Sequence, residues 1–163
     1  MIGLAGERPS RMMRWLYRVP LFLQRVGLGG WERILGVRFI KITSKGRRTG
    51  RPHSVLVDIV EHDLVSNMYY VQAVHGERAD WVKNIKANPV FEAQVGRKRF
   101  FASADRIPQS QSAEILLRYI ENHERYVKTL MRAVGVDYDA FTEDELRSRL
   151  KDELVLAIKP QKP

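Results

Sequence analysis

The chain has 163 residues, a net charge of +9 and no cysteine. This length suits one domain with a sizeable core, and the lack of cysteine excludes zinc–thiolate sites, iron–sulfur ligation and cysteine nucleophiles. Residues 1–53 hold 12 Lys and Arg against 2 Asp and Glu, whereas residues 54–163 hold 16 against 17, so we expect an anionic partner at the N-terminal end.

The first predicted element is an amphipathic helix over residues 10–28, which begins at Ser10 and is interrupted at Pro20. Its arginines interrupt every apolar stretch, so we expect neither a signal peptide nor a membrane-spanning helix. Two interpretations stay open: the helix packs on the domain, or it lies on an anionic membrane surface. We expect a cytoplasmic protein, and under the second interpretation a peripheral one at the inner face of the plasma membrane. The arginines that share one face of this helix are Arg11, Arg14, Arg18 and Arg25.

The rest of the chain alternates short strands with a few helices. Most strands have hairpin spacing, which favours an antiparallel barrel with helices outside it over a doubly wound parallel sheet. The fold class is therefore α+β with a mainly β core. We expect helices near residues 80–88, 109–134 and 142–150. The predicted strands are Val37–Thr43, His53–Val60, Met68–Val74, Val90–Val95, Arg99–Ala104 and Leu154–Ile158.

We expect a single domain over residues 1–163. Within it, residues 1–36 form the amphipathic helical segment, residues 37–159 form the barrel core, and residues 160–163 form a short tail.

The stretch "TSKGRRTGRPH", residues 43–53, combines four cationic side chains with two glycines and a proline where the first strand ends. Glycines permit a close backbone approach to a ligand, and arginines bind phosphate oxygens through two N–H groups at once. A solvated basic turn and an anion site both fit this pattern. We expect no nucleic-acid partner, because no aromatic residues alternate with the cations to stack on bases.

A second cluster, "HGERADWVKNIKANP", covers residues 75–89. It predicts a short helix with Asp80 as N-cap and a stop at Asn88-Pro89. Trp81 and Asn84 share one face of this helix at i,i+3, where they could contact a flat ring. Taken alone, the pattern slightly favours the alternative of a core tryptophan and a surface asparagine. No nucleophile motif and no histidine spacing for a metal are present, so a bound cofactor would supply any reactivity.

The two clusters together resemble the deazaflavin-dependent nitroreductase family, also described as F420H2-dependent quinone reductases, of the split β-barrel flavin-binding superfamily. "ITSKGRRTGRPHSVLV" is similar to the family's TxxGRxSGxPR segment. "ADWVKNIKANPVFEAQVGRKRFFASA" is similar to its WYxNLxANPxVxVQxGxxxxxARA segment. The resemblance implies a split β-barrel of about six mostly antiparallel strands, with N-terminal and C-terminal helices packed outside.

The resemblance also implies which residues bind the cofactor F420. The phosphate-side residues are Lys45, Gly46, Arg47, Arg48, Thr49, Gly50, Arg51, Pro52 and His53, with Lys86 as an extra phosphate contact. The ring-side residues are Val74, Gly76, Ala79, Asp80, Trp81 and Asn84. Trp15, Tyr119 and Tyr126 are the candidate substrate contacts.

The implied reaction is hydride transfer from reduced F420 to an electron-poor acceptor, such as a quinone, a nitro compound or an activated alkene. No residue of the chain is assigned as catalytic, and no metal is expected. Two alternatives stay open: an FMN-dependent oxidoreductase of the same fold, and a non-catalytic ligand-binding protein at a membrane surface. Both a monomer and a homodimer are compatible with the sequence.

Overall fold

The structure, a computed structural model, describes residues 36–133 and 135–161. The predicted helix over residues 10–28, which contains Trp15, lies outside the described residues. The described chain belongs to two compact units. One consists of Arg38–Ile107 and the chain from Leu154 onward, and the other contains Pro108–Glu153.

The first unit is a closed barrel of six antiparallel strands. Its strands are β1 (Phe39–Lys45), β2 (Pro52–Asp63), β3 (Met68–Ala73), β4 (Phe91–Val95), β5 (Lys98–Arg106) and β6 (Leu154–Pro160). They pair in the order β1-β2-β3-β6-β5-β4, and the pairing of β1 with β4 closes the barrel. The helix α1 (Asp80–Ala87) lies between β3 and β4 in the chain. The predicted antiparallel, mainly β architecture is confirmed, and most strand ends shift by one or two residues.

Side chains of the barrel alternate between its interior and its outer surface. On β1, Ile40 and Ile42 are fully buried, whereas Lys41 and Thr43, the residues that follow them, are partly exposed. This period of two is what a strand with one buried face requires. The main core cluster joins strand residues to Ala79, Val82 and Ile85 of the α1 segment; its strand residues are Ile40, Ile42, Ile59, Tyr69, Val71, Ala73, Phe91, Ala93, Ala102, Leu154, Leu156 and Ile158.

Strand β2 is longer than the sequence predicts. The prediction ended at Val60 and put the turn near residue 62, but β2 continues to Asp63. The pairing register with β3 shifts between Ile59 and Glu61, so alternation is interrupted there while pairing continues. Beyond the shift, His62 pairs with Tyr69 and their rings stack with centroids 4.1 Å apart.

The second unit is helical, and one long predicted helix is in fact two. The expected helix over residues 109–134 is interrupted at His123, whose backbone (φ −129°, ψ 33°) is not helical. A ring nitrogen of His123 donates a hydrogen bond to the Tyr119 carbonyl at 2.9 Å, a local alternative to helical bonding. The last helix of this unit, Glu143–Leu150, begins with a capping box formed by Thr142 and Glu145. The helices are α2 (Gln109–Asn122), α3 (Glu124–Ala133) and α4 (Glu143–Leu150).

We expect Ile42→Ala to destabilise the protein and Ser44→Ala not to, although both side chains are buried on β1. Ile42→Ala leaves a cavity in the barrel and should lower the free energy of unfolding by about 2–5 kcal/mol. The Ser44 hydroxyl is buried and has no partner among the described residues, so Ser44→Ala should leave stability unchanged or raise it by about 1 kcal/mol. Urea denaturation measures both. A clear loss of stability in Ser44→Ala would contradict the absence of a partner.

Candidate functional site

The candidate site is built from the β1–β2 loop, residues 46–51, and helix α1. The last strand pair before the loop joins Lys45 to Pro52. Two backbone hydrogen bonds of 2.8 Å then close the loop, from the Gly46 N–H to the Arg51 carbonyl and from the Gly50 N–H to the Gly46 carbonyl. A short loop with these internal bonds holds its remaining polar groups in fixed positions.

Two glycines make this loop conformation accessible. A Cβ on Gly46 would lie 2.7 Å from Cδ2 of His53 and 2.9 Å from Oγ1 of Thr49, so any other residue here requires these side chains to shift. Gly50 has φ +67°, a left-handed conformation that other residues adopt at a cost. The Thr49 hydroxyl accepts a hydrogen bond from the Arg51 N–H at 3.3 Å and lies 3.5 Å from Nε2 of His53.

Arg47 joins the loop to α1. Its backbone N–H and its Nη1 both donate to Oδ1 of Asn84, at 3.2 and 3.1 Å, and its Nη2 donates to Oδ1 of Asp80 at 3.0 Å. Asn84 is only 5% exposed, so its oxygen needs these donors. We call these three hydrogen bonds the loop–helix contact. A further bond, from Nδ2 of Asn88 to the Lys45 carbonyl at 3.3 Å, ties the other end of the helix to the strand.

The remaining cations of this region are differently placed. Lys45, Arg48 and Arg51 are exposed, and none forms an ion pair with any residue in the described part of the chain. The backbone N–H groups of Arg48 and Thr49 likewise have no acceptor there. Three cations and two consecutive N–H donors on one strand exit form a donor set that suits a phosphate group.

The ring-side residues surround the start of α1. Val74 and Gly76 follow β3, and Gly76 begins a 3-10 turn with φ +53°. The prediction that Asp80 caps the helix is wrong by one residue, because Ala79 occupies the N-cap position and Asp80 is the first helical residue. Trp81 is partly buried and packs against the barrel core. Because Ala79 has no side-chain acceptor, it leaves the first N–H groups of α1 without a side-chain cap.

Lys86, predicted as an extra phosphate contact, is engaged in an ion pair with Glu77. Arg106 of β5 also approaches Glu77, at 3.5 Å. Glu77 and Asn88 are functional contacts that the sequence does not predict, because their partners lie 9 to 43 residues away. No local pattern indicates such pairs.

Two of the candidate substrate contacts lie in the helical unit. Tyr119 on α2 is buried, and its ring lies 4.5 Å from the ring of His123. Tyr126 on α3 is half-buried. Trp15 is outside the described residues. The assignment of these three residues to a substrate stays a prediction.

The chain matches a family model described as F420H(2)-dependent quinone reductase over residues 20–138, a span that includes the β1–β2 loop and α1. A search of curated proteins finds no match. Among solved structures, the chain is similar to an F420-H2 dependent reductase (FDR-A), with 18% identity, a TM-score of 0.47, and coverage of 74% of this chain and 93% of the other. It is also similar to an F420 reductase, with 16% identity, a TM-score of 0.47, and coverage of 80% of this chain and 93% of the other. A structure described as a domain-swapped dimer has 18% identity, a TM-score of 0.48, and coverage of 74% of this chain and 79% of the other.

We expect Gly46→Ala to lower the free energy of unfolding by about 1–3 kcal/mol, because the new methyl group would overlap the His53 ring. Thermal and urea denaturation measure the loss. His53→Ala in the same chain removes the nearest overlapping atoms and should restore part of the stability, with His53→Ala alone as the baseline. Full stability of Gly46→Ala would contradict this prediction and show that the His53 and Thr49 side chains move away from position 46 at little cost.

Proposed function

Because this chain belongs to the F420H(2)-dependent quinone reductase family, we infer that it binds the deazaflavin F420 at the β1–β2 loop and α1. It is an F420H2-dependent oxidoreductase. Reduced F420, when bound, supplies a hydride to an electron-poor acceptor, for which we propose a quinone, a nitro compound or an activated alkene. The observation that carries the assignment of the site is the exposed group of Lys45, Arg48 and Arg51 around two unbonded backbone N–H groups.

The residues present fit a phosphate-bearing cofactor. The buried glycine at position 46 lets the strand turn sharply, and the αL residue Gly50 turns the chain back into β2. Between them, the N–H groups of Arg48 and Thr49 provide the type of backbone donors that bind phosphate oxygens. The side chains of Lys45, Arg48 and Arg51 neutralise the charge of the phosphate.

The chain's other contributions are orientation and electrostatics. The N-terminal residues of α1, with Trp81, would lie along the ring, and the uncapped N–H groups of this helix end would stabilise negative charge on it. Productive transfer needs donor and acceptor carbons held about 3–3.5 Å apart. The proposed reaction therefore requires no nucleophile from the protein.

We expect Arg48→Gln and Arg51→Gln each to weaken F420 binding by roughly 10- to 100-fold, since a hydrogen bond to a charged group contributes about 1.5–3 kcal/mol. Titration of the purified protein with F420, followed by cofactor fluorescence, measures the dissociation constants. Arg99→Gln is the matched control, because it removes one exposed positive charge from the β5 strand.

Two further measurements complete this test. Oxidation of reduced F420 should depend on protein and on an added soluble quinone. FMN titrated in parallel should bind much more weakly than F420. Tighter binding of FMN than of F420 would make FMN the cofactor of this fold, and binding of neither would refute the oxidoreductase assignment.

We also propose that the protein is cytoplasmic and that its N-terminal segment contacts an anionic membrane. Within residues 36–133 and 135–161, no helix is long and apolar enough to cross a bilayer. Support for the membrane contact comes from the sequence alone, which predicts a helix over residues 10–28 with four arginines on one face. In flotation assays we expect the chain to rise with vesicles that contain anionic lipid. Replacement of Arg11, Arg14, Arg18 and Arg25 by glutamine should abolish this, and equal flotation of both forms would contradict it.

A further inference from the structure

We propose that Arg47 is a positioning residue that holds the β1–β2 loop on α1, so that phosphate binding falls to Lys45, Arg48 and Arg51. This inference rests on the proposed function of the loop as a phosphate site. It separates two adjacent arginines, Arg47 and Arg48, which the sequence pattern treats alike.

The contacts of Arg47 set it apart from the other cations. Its side chain is 26% exposed, and it donates to the oxygen of Asn84 and to the carboxylate of Asp80. If the Arg47 side chain left α1 to reach a ligand, the buried Asn84 oxygen would keep only the backbone N–H as a donor, and the Asp80 carboxylate would lose this ion pair. Hydrogen bonds from a charged donor are stronger than neutral ones, so the loss of both disfavours this movement.

The hydrogen bond from the Arg47 backbone N–H to Asn84 also fixes the loop, in addition to the bonds of the guanidinium. The Arg47 N–H is fixed on Asn84 at 3.2 Å, and the next two N–H groups along the chain, those of Arg48 and Thr49, are the unbonded ones. Fixing residue 47 therefore fixes the position of both free donors. Donors that are already ordered bind with a smaller loss of conformational entropy.

The same helix carries Trp81 on the ring side of the site. Contacts at Asp80, Asn84 and Asn88 run from the first residue of α1 to the residue after its last. Loop and helix then move as one body, and the phosphate, remote from the reacting carbon, determines where the ring lies. Binding energy from a remote group is used in this way to orient a reacting centre.

A double-mutant cycle with Arg47→Met and Asn84→Leu tests the assignment. Asn84→Leu retains every charge, yet we expect it to weaken F420 binding about tenfold, as Arg47→Met does, and the double variant to bind no more weakly than either. Asn84→Asp retains an oxygen acceptor and should bind within about threefold of the parent. If Arg47 is instead a direct ligand, Asn84→Leu binds normally and Arg47→Met alone carries the loss.

Salt dependence and kinetics give readouts that a change in charge alone would not reproduce. Arg48→Gln should reduce the salt dependence of F420 binding, whereas Asn84→Leu should weaken binding without changing that dependence. If the loop–helix contact only places the loop, KM for reduced F420 rises in Asn84→Leu while kcat stays within about twofold. A tenfold fall in kcat at saturating F420 with no rise in KM would overturn the positioning role.

Hydrogen exchange in the ligand-free protein separates this inference from the proposed function. In Arg47→Met and Asn84→Leu, the Gly46 and Gly50 amides should exchange at least tenfold faster than in the parent, while the Ile42 amide of β1 keeps its protection. Unchanged exchange of the loop amides in both variants would refute the inference. Failure of the parent protein to bind F420 would refute the proposed function and leave the exchange result valid. If Asn84→Leu does not fold, loop-amide exchange in Arg47→Met still tests the inference, with Asn84→Asp as the variant that should keep the protection of the parent.

Discussion

The hydrogen bonds from Arg47 to Asn84 are the contact on which the candidate site depends. Helix α1 has eight residues, too few to be stable alone, so it needs tertiary packing. Val82 and Ile85 supply that packing against the barrel core, and Asn84 lies beside them and is buried with them. A buried amide must find partners, and the loop provides them. The packing of α1 and the position of the β1–β2 loop therefore depend on each other through the hydrogen bonds to Asn84.

The closed barrel explains why an irregular loop can be stable at the end of β1. All six strands pair on both sides, so the sheet has no open edge that needs protection, and the strand ends can carry irregular backbone. The interior row of β1, Ile40, Ile42 and Ser44, leads directly to Gly46. Each is buried, and at Gly46 an added Cβ would meet the side chains of His53 and Thr49. The loop thus begins at Gly46, and Gly50, with its left-handed backbone, turns the chain back into β2.

Much of this could be read from the sequence, because it depends on local pattern. Alternation identifies the strands, and glycines among arginines identify the loop. What the sequence could not show depends on distant partners. Arg47 and Asn84 are 37 residues apart, so nothing near Arg47 indicates that it faces a helix while Arg48 faces solvent. The ion pair of Lys86 with Glu77 could not be predicted for the same reason. The register shift in β2 could not be predicted because its buried Val60 breaks the period of two, and such a break is also typical of the end of a strand.

An arginine at position 47 does what a lysine would do less well. A guanidinium is planar and offers several N–H groups in fixed directions, whereas an ammonium is a compact charge on a flexible stem. Arg47 uses two nitrogens to reach two different residues one turn apart on α1, Asp80 and Asn84. The Asp80 carboxylate also offsets one positive charge in a loop where like charges repel each other. The geometry that makes Arg47 a good connector therefore also lowers the repulsion that its neighbours, Lys45, Arg48 and Arg51, would otherwise feel.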